Sequence, residues 1–566
     1  MKPIHSLTTL SLAVVLAACA EQQSPVTDAT QTRAEPAKAR PQELLAEDEA
    51  AAAGATVSQR LVKTRAPAGI SSYAEADMAL AAPAGRVQWQ PVDRENYLHY
   101  QENGVTRVAD LPVSTFSIDV DTASYANVRR MLNREGRLPP SAAVRLEEMV
   151  NYFSYSYPAP ESGSIPFSIN TELAPAPWSD QHQLLQIGIK GYQPALEQRP
   201  AANLVFLVDV SGSMQSPDKL ELVKKSLRLL VNRMTEEDRI ALAVYAGAAG
   251  TVLESTPGNE KAKILAAIDQ LQAGGSTHGS AGIKLAYNLA GQHLVEGGIN
   301  RVIIASDGDM NVGTVNIEAL KNLIERKREN GIALTTLGFG SGNYNYALME
   351  QLADVGNGNA AYIDSLKEAQ KVLVNEMQST LHTIASDVKI QVEFNPAAVS
   401  EYRLIGYENR MLNREDFSND KVDAGDIGAG HTVTALYEIV LAGSGGERNP
   451  ALRYGNNAQE TNAISGELAY IKLRYKQPGA SQSRELARVV RSSQLAADLS
   501  ASSDDIRFAA SVAGFGQLLR GGKYTGDWGY PQALDLARSA RGADPHGYRG
   551  EFLHLIELAQ SLSSGS

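Results

Sequence analysis

Cysteine is almost absent from this sequence: one residue in 566. That excludes a disulfide framework, a cysteine-rich zinc site and a CxxC redox pair. A basic excess is missing too. Lys and Arg total 52 against 64 Asp and Glu, a formal net charge of −12. Such a chain lacks the cationic surface that neutralises a phosphate backbone, so nucleic acid is not an expected partner. No apolar run reaches the roughly 20 residues of a membrane-spanning helix. The nine histidines include no H-E-x-x-H zinc signature, and no supersecondary repeat recurs. What is present is an ordinary globular balance, 43% hydrophobic and 20% charged. At about 150 residues per domain, the length suggests about three or four folded units.

The lone cysteine stands at an informative place. After Lys2, the apolar run 7–16 is too short to cross a bilayer but has the length of a signal-peptide core. Leu16-Ala17-Ala18-Cys19 resembles a bacterial lipobox, in which the chain is cut before the cysteine and the thiol carries a diacylglycerol. The resemblance implies that residues 1–18 are removed and that Cys19 anchors the chain to a membrane. Several acyl chains hold where a single one binds only marginally. Ala20, rather than Asp, at the following position implies an outer-membrane anchor with the body facing the periplasm. Residues 19–91 are rich in Ala, Gln, Pro, Glu, Thr and Ser and lack apolar periodicity. They cannot bury enough surface to offset chain entropy and are expected to form a disordered tether.

Beyond the tether, residues 92–165 are expected to form a small α-rich module with a strand at 113–120. Val128, Met131 and Leu132 share one helix face, and Leu146, Met149, Val150 and Phe153 another. Residues 166–198 carry two β-strands. Residues 199–380 then alternate strand and helix. The run 204–208 is continuously apolar, as in a strand buried on both faces. Leu220, Val223, Leu227, Leu230 and Met234 follow at helical spacing. Strands at 240–245, 301–305, 332–339 and 360–363 alternate with further helices. This pattern predicts an α/β, doubly wound parallel sheet of Rossmann-like form. Residues 381–480 read as β-rich and 481–566 as a C-terminal helical region. The matching β texture on both sides suggests that strands near 167–190 pair with strands after 385, with the α/β domain inserted between them.

The chemistry gathers where ligands bind in such sheets, at the carboxyl ends of the strands. Asp209-Val210-Ser211-Gly212-Ser213 ends the strand 204–208. A carboxylate and two hydroxyls on one tight loop are hard oxygen donors, suited to Mg²⁺. Thr277 follows the flexible pair Gly274-Gly275, and Asp307 follows the strand 301–305. In this order, Asp209, Ser211, Ser213, Thr277 and Asp307 resemble the metal-ion-dependent adhesion site of a von Willebrand factor type A (VWA) domain. Ser306 stands where many members carry Thr. The resemblance implies bound Mg²⁺ (or Mn²⁺) with one coordination position left for an Asp or Glu of a protein partner. Gly212, Met214, Ser276, His278, Gly308 and Asp309 would form the rim that the partner touches. Residues 114–125 and the helical tail resemble the flanks of bacterial VWA lipoproteins, whose role the resemblance does not supply.

Competing motifs are weaker. Asp307-x-Asp309-x-Asn311 with Glu318 imitates a calcium loop, but Val312 occupies the position whose sharp turn needs Gly. Ser216-Pro217-Asp218-Lys219 matches S-x-x-K, but the companion S-D-N and K-T-G elements are lacking. Ser216 and Asp218 are expected to start a helix instead. Asp119 and Asp121 are expected to form a turn and helix cap, a second carboxylate site being the alternative. Two functions follow from the VWA resemblance: a lipid-anchored, non-enzymatic module that grips an acidic partner, or a regulatory subunit of an ATPase or chelatase-like machine. The lipobox disfavours the second, and no nucleophile–base pair supports a hydrolase.

Overall fold

The apolar run that opens the α/β region becomes the strand Ala202–Asp209, buried along its whole length at the centre of a six-stranded sheet. The computed structural model describes residues 95–160, 164–195, 199–275, 279–308, 317–450 and 466–564. The lipobox, Cys19, the stretch 19–91, Ser276, Thr277, His278 and Asp309 lie outside them. Across the sheet the order is Ala360–Ile363, Ala333–Phe339, Ile299–Ser306, Ala202–Asp209, Arg239–Tyr245 and Ala249–Pro257. The first five strands are parallel, with Val205 level with both Val302 and Ala241. The sixth, Ala249–Pro257, is an antiparallel edge strand that the sequence pattern does not reveal. Helices cover both faces. Leu220–Val231 and Lys261–Asp269 close one core, while Gly279–Gln292, Ile317–Glu329 and Tyr346–Val355 close the other.

The α/β domain is inserted into a β-sandwich, as the matching β texture suggests. His182–Gly191, which precedes it, pairs with Thr432–Leu441, which follows it. One sheet runs Thr106–Arg107, Val399–Ile405, Thr432–Leu441, His182–Gly191, Phe167–Pro175. The other contains Gly425–Gly428, Thr383–Phe394, Glu467–Lys476 and Ser483–Arg491, with Val113–Ser117 added along Thr383–Phe394. Their inner faces share a core of alternating residues such as Val433, Ala435, Tyr437 and Ile439.

Two expected boundaries change. Residues 92–165 are not a separate α-rich module. Thr106–Arg107 and Val113–Ser117 complete the two sheets, and helix Leu146–Asn151 packs with the C-terminal helices. The strand itself stops at Ser117, short of residue 120. The region 481–566 is not wholly helical, because it begins with the edge strand Ser483–Arg491. Its helices Asp504–Leu519, Tyr530–Ser539 and Tyr548–Ser563 gather Phe508, Phe515 and Phe552 against Phe153 and the outer face of the first sheet, including Leu184 and Leu436.

Buried charge ties these layers together. Glu438 accepts from the His182 ring at 2.5 Å, from Arg403 at 2.6 Å, from Arg448 at 2.9 Å and from Trp178 at 3.2 Å. Burial alone would raise its carboxyl, but the His182 hydrogen bond and the two guanidiniums outweigh burial and hold it at about 2, against an ordinary 4.5. A depressed folded value stabilises fully above the unfolded value, and the contribution fades as the pH falls from 4.5 towards 2. Glu438→Gln is therefore expected to lower the unfolding free energy at pH 7 by roughly 3 kcal/mol. Urea titrations should show a smaller deficit near about pH 2.5; an equal deficit at both pH values would refute the ionic account.

Candidate metal centre

Asp209 is the last residue of the central strand and is fully buried. Its Oδ1 accepts the Ser211 N–H at 2.9 Å, and its Oδ2 accepts the Tyr245 hydroxyl at 3.1 Å and the Ser306 hydroxyl at 3.0 Å. Each of these donors is neutral. Burial pushes the Asp209 carboxyl above its ordinary value, against the pull of Ser211 and with a further push from Asp307. The Ser211 and Ser213 hydroxyl oxygens lie 3.0 Å apart on the same loop. That loop is pinned by backbone bonds: Gly212 N–H to Gly275 O at 3.0 Å and Gly274 N–H to Val210 O at 2.7 Å. The segment leading to Thr277 is thus laid against the Asp209 loop, although Thr277 itself is outside the described residues.

Asp307 follows the neighbouring strand Ile299–Ser306 and is also fully buried. Its Oδ2 accepts the Lys219 ammonium at 2.9 Å and the Asn343 amide at 3.0 Å, and Lys219 also donates to Asn343 Oδ1 at 2.9 Å. Burial would raise the Asp307 carboxyl, but Lys219, Asn343 and Ser213 together hold it below its ordinary value. Two glycines make room for this arrangement. Gly340 has φ +75°, and a Cβ there would meet the Lys219 side chain at 2.3 Å. Gly308 has φ +80°, and a Cβ there would come 2.5 Å from Asn345 N.

The sequence reading thus brings Asp209, Ser211, Ser213 and Asp307 to one end of the sheet. It misplaces part of the rim. Gly212 is exposed, but Met214 is fully buried, because the turn Gly212–Gln215 drives it into the core beside the central strand. Gly308 is buried as well. Lys219 and Asn343 were missed. Lys219 was visible only as the end of S-x-x-K, and its partner Asp307 is 88 residues away. Ser216 and Asp218 bond to each other at 2.6 Å instead of capping the helix Leu220–Val231. Asp119 does form a turn, accepting the Asp121 N–H at 2.9 Å, but neither residue caps the following helix. Both instead pair with Arg410, and Asp121 also accepts the Ala360 N–H at 2.7 Å.

The donors fit a hard divalent cation: two carboxylates and two hydroxyls, with no sulfur or imidazole among them. Asp307 already faces an ammonium, whereas Asp209 faces only neutral dipoles. Two carboxylates and one ammonium leave one negative charge uncompensated. A divalent cation would convert that to one positive charge, and an anionic group from outside would neutralise it.

A strand-end D-x-S-x-S loop on a parallel sheet, with an aspartate after the adjacent strand, is the arrangement of a VWA domain. The sequence model of that domain matches residues 203–376, and a model described as von Willebrand factor matches residues 91–186. A third, described as uncharacterized protein YfbK, C-terminal, matches residues 379–562. The uncharacterized protein YfbK of Escherichia coli (strain K12) is 48% identical over 474 residues, 82% of this chain and 81% of that one. The chain therefore belongs to the YfbK family of VWA-domain proteins. Inter-alpha-trypsin inhibitor heavy chain H3 of Homo sapiens is 25% identical over 258 residues, 42% of this chain and 28% of that one. The solved structure of a von Willebrand factor type A protein from Catenulispora acidiphila aligns with a TM-score of 0.38 and 15% identity, covering 69% of this chain and 89% of that one. VWA domains generally bind a divalent metal at this loop cluster and mediate protein interactions.

Lys219→Met removes the ammonium and leaves both carboxylates for the metal. Metal affinity is expected to rise roughly tenfold, since a like charge near the cation is gone. Thermal melts across a Mg²⁺ titration read this directly, because a ligand of the folded state stabilises in proportion to its affinity. An unchanged or weakened Mg²⁺ response would show that Lys219 does not oppose the metal.

Proposed function

We propose that this protein is a lipid-anchored, non-enzymatic binding module of the cell envelope. Its VWA domain holds Mg²⁺ or Mn²⁺ through Asp209, Ser211, Ser213, Thr277 and Asp307, and presents that ion to an Asp or Glu of a protein partner. The observation that carries this reading is the charge count: the Asp307–Lys219 pair leaves Asp209 as the one uncompensated carboxylate. A bound divalent ion would then keep a net positive charge for an anionic ligand. The metal supplies electrostatic attraction; the chain supplies the two carboxylates, the hydroxyls and the ammonium that set its residual charge.

The whole sequence carries −12, so long-range steering does not favour an acidic partner. Attraction must be local, and at about 0.15 M salt the screening length is already about 8 Å. Partner binding should therefore respond strongly to chelation and weakly to added salt. In capture from envelope extract, wild-type chain with Mg²⁺ is expected to retain a partner that chelator releases, and Thr277→Ala to weaken capture severalfold without loss of fold. Recovery of the same proteins in all four combinations of chain and metal would exclude the metal cleft as the binding surface. Independently, Cys19→Ser is expected to abolish fatty-acid labelling and membrane attachment; unchanged labelling would remove the lipid anchor from the proposal.

A further inference from the structure

At the amino ends of the same parallel strands, opposite the metal centre, lies a second recess of about 470 Å³. It opens between the α/β domain and the β-sandwich, and Arg301 forms part of its wall. Arg301 is 3% exposed. Its Nη1 donates to Thr335 Oγ1 at 2.6 Å and its Nη2 to the Leu381 carbonyl at 3.4 Å, while Nε has no acceptor. Among the described residues no carboxylate lies within ion-pair distance of it, unlike the buried Arg129, Arg403 and Arg410. A guanidinium taken out of water without a contacting ion-pair partner costs several kcal/mol, and burial pulls Arg301 down to about 10, with the Asp426 carboxyl of the recess wall pulling the other way.

We propose that this recess binds a small organic anion whose carboxylate or phosphate group pairs with Arg301. The surrounding groups suit such a guest. Asp426 is held up at about 8 by burial and by Asp387, so at neutral pH it is an acid that can donate a hydrogen bond. His382 leaves a buried Nδ1 without a partner. Arg328, also in the wall, is already engaged by Asp423 and Asn357 and so does not compete for the guest. The volume falls in the range of metabolite-sized pockets, above what an inorganic ion would fill. Pro200, Ala333, Leu381 and Pro478 add apolar surface for the remainder of the molecule. The site is independent of the metal centre.

The test is calorimetric titration of the full-length chain in an Asp209→Ala background, so that the metal centre contributes no anion binding. Succinate and glycerol 3-phosphate are the probes, with sodium chloride of equal ionic strength as control. Binding of succinate identifies a carboxylate site and binding of glycerol 3-phosphate a phosphate site; either supports the proposal. Arg301→Gln is expected to weaken binding at least tenfold. Should that variant fail to reproduce the parental circular dichroism spectrum, Ser386→Tyr, which fills the recess and leaves Arg301 intact, gives the same reading. If neither probe binds, the recess holds water only, and the proposal is overturned. It is equally overturned if binding survives undiminished in the folded variant.

Discussion

The chain must leave the β-sandwich and come back to the same place, and the rest of the structure depends on that closure. Gly191 ends the strand before the α/β domain, and Thr383–Phe394 begins after it. A Cβ at Gly191 would sit 2.9 Å from the Gly428 carbonyl and 3.0 Å from Ile384 Cδ1. The exit and return points therefore touch, and only a residue without a side chain fits between them. After the last strand of the parallel sheet, the helical segments from Leu366–Gln370 to Met377–Leu381 lead the chain back to the amino ends, where Leu381 and Thr383 line one recess with Pro200. The pairing of His182–Gly191 with Thr432–Leu441 spans the whole inserted domain, and closing that domain's ends lowers the entropic cost of the pairing.

With the ends fixed, orientation is set by buried arginines at the seams. Arg129 donates to Asp364 and Glu368 of the α/β domain, to Tyr152 near the N-terminal helices and to Glu551 of the last helix. Arg410 of the sandwich pairs with Asp119 and Asp121 and with Asp354 of the α/β domain. Such pairs contribute little net stability relative to apolar packing, because desolvation offsets their attraction, but breaking one leaves a buried charge and costs about 3–5 kcal/mol. They therefore penalise any other docking of the layers. Since the helix Tyr346–Val355 carries Asp354 at one end and follows Asn343 closely, this seam also holds in place the loop that supports Asp307.

Much of this was legible in the sequence because it is local. The continuous apolar run of the central strand, the helical spacing from Leu220 and the D-x-S-x-S loop each lie within a few residues, and each appears where expected. The insertion was legible because strand texture resumes on both sides. What escaped is either weakly patterned or long-range. Ser483–Arg491 is an edge strand whose Arg484, Glu485 and Arg488 face solvent, so no alternation of apolar residues marks it. Lys219 acquires meaning only from Asp307, and Arg129 only from partners 235 and 422 residues away. Spacing rules do not reach that far.

One strand joins the two charged ends of the domain. Ile299–Ser306 is buried throughout, with Asp307 beyond its carboxyl end and Arg301 near its amino end. Because side chains alternate across a strand, a slip of one residue would turn Arg301 to the opposite face, where Val302 and Ile304 pack among apolar side chains. It would also carry Asp307 away from Lys219. The register pairing Val302 with Val205 and Leu334 is thus fixed at one end by the Asp307–Lys219 pair, at the other by the hydrogen bond from Arg301 to Thr335, and in the middle by packing. The same alignment that sets Asp307 beside Asp209 sets the unpaired guanidinium in its recess. Neither charged end of the strand can shift in register without displacing the other.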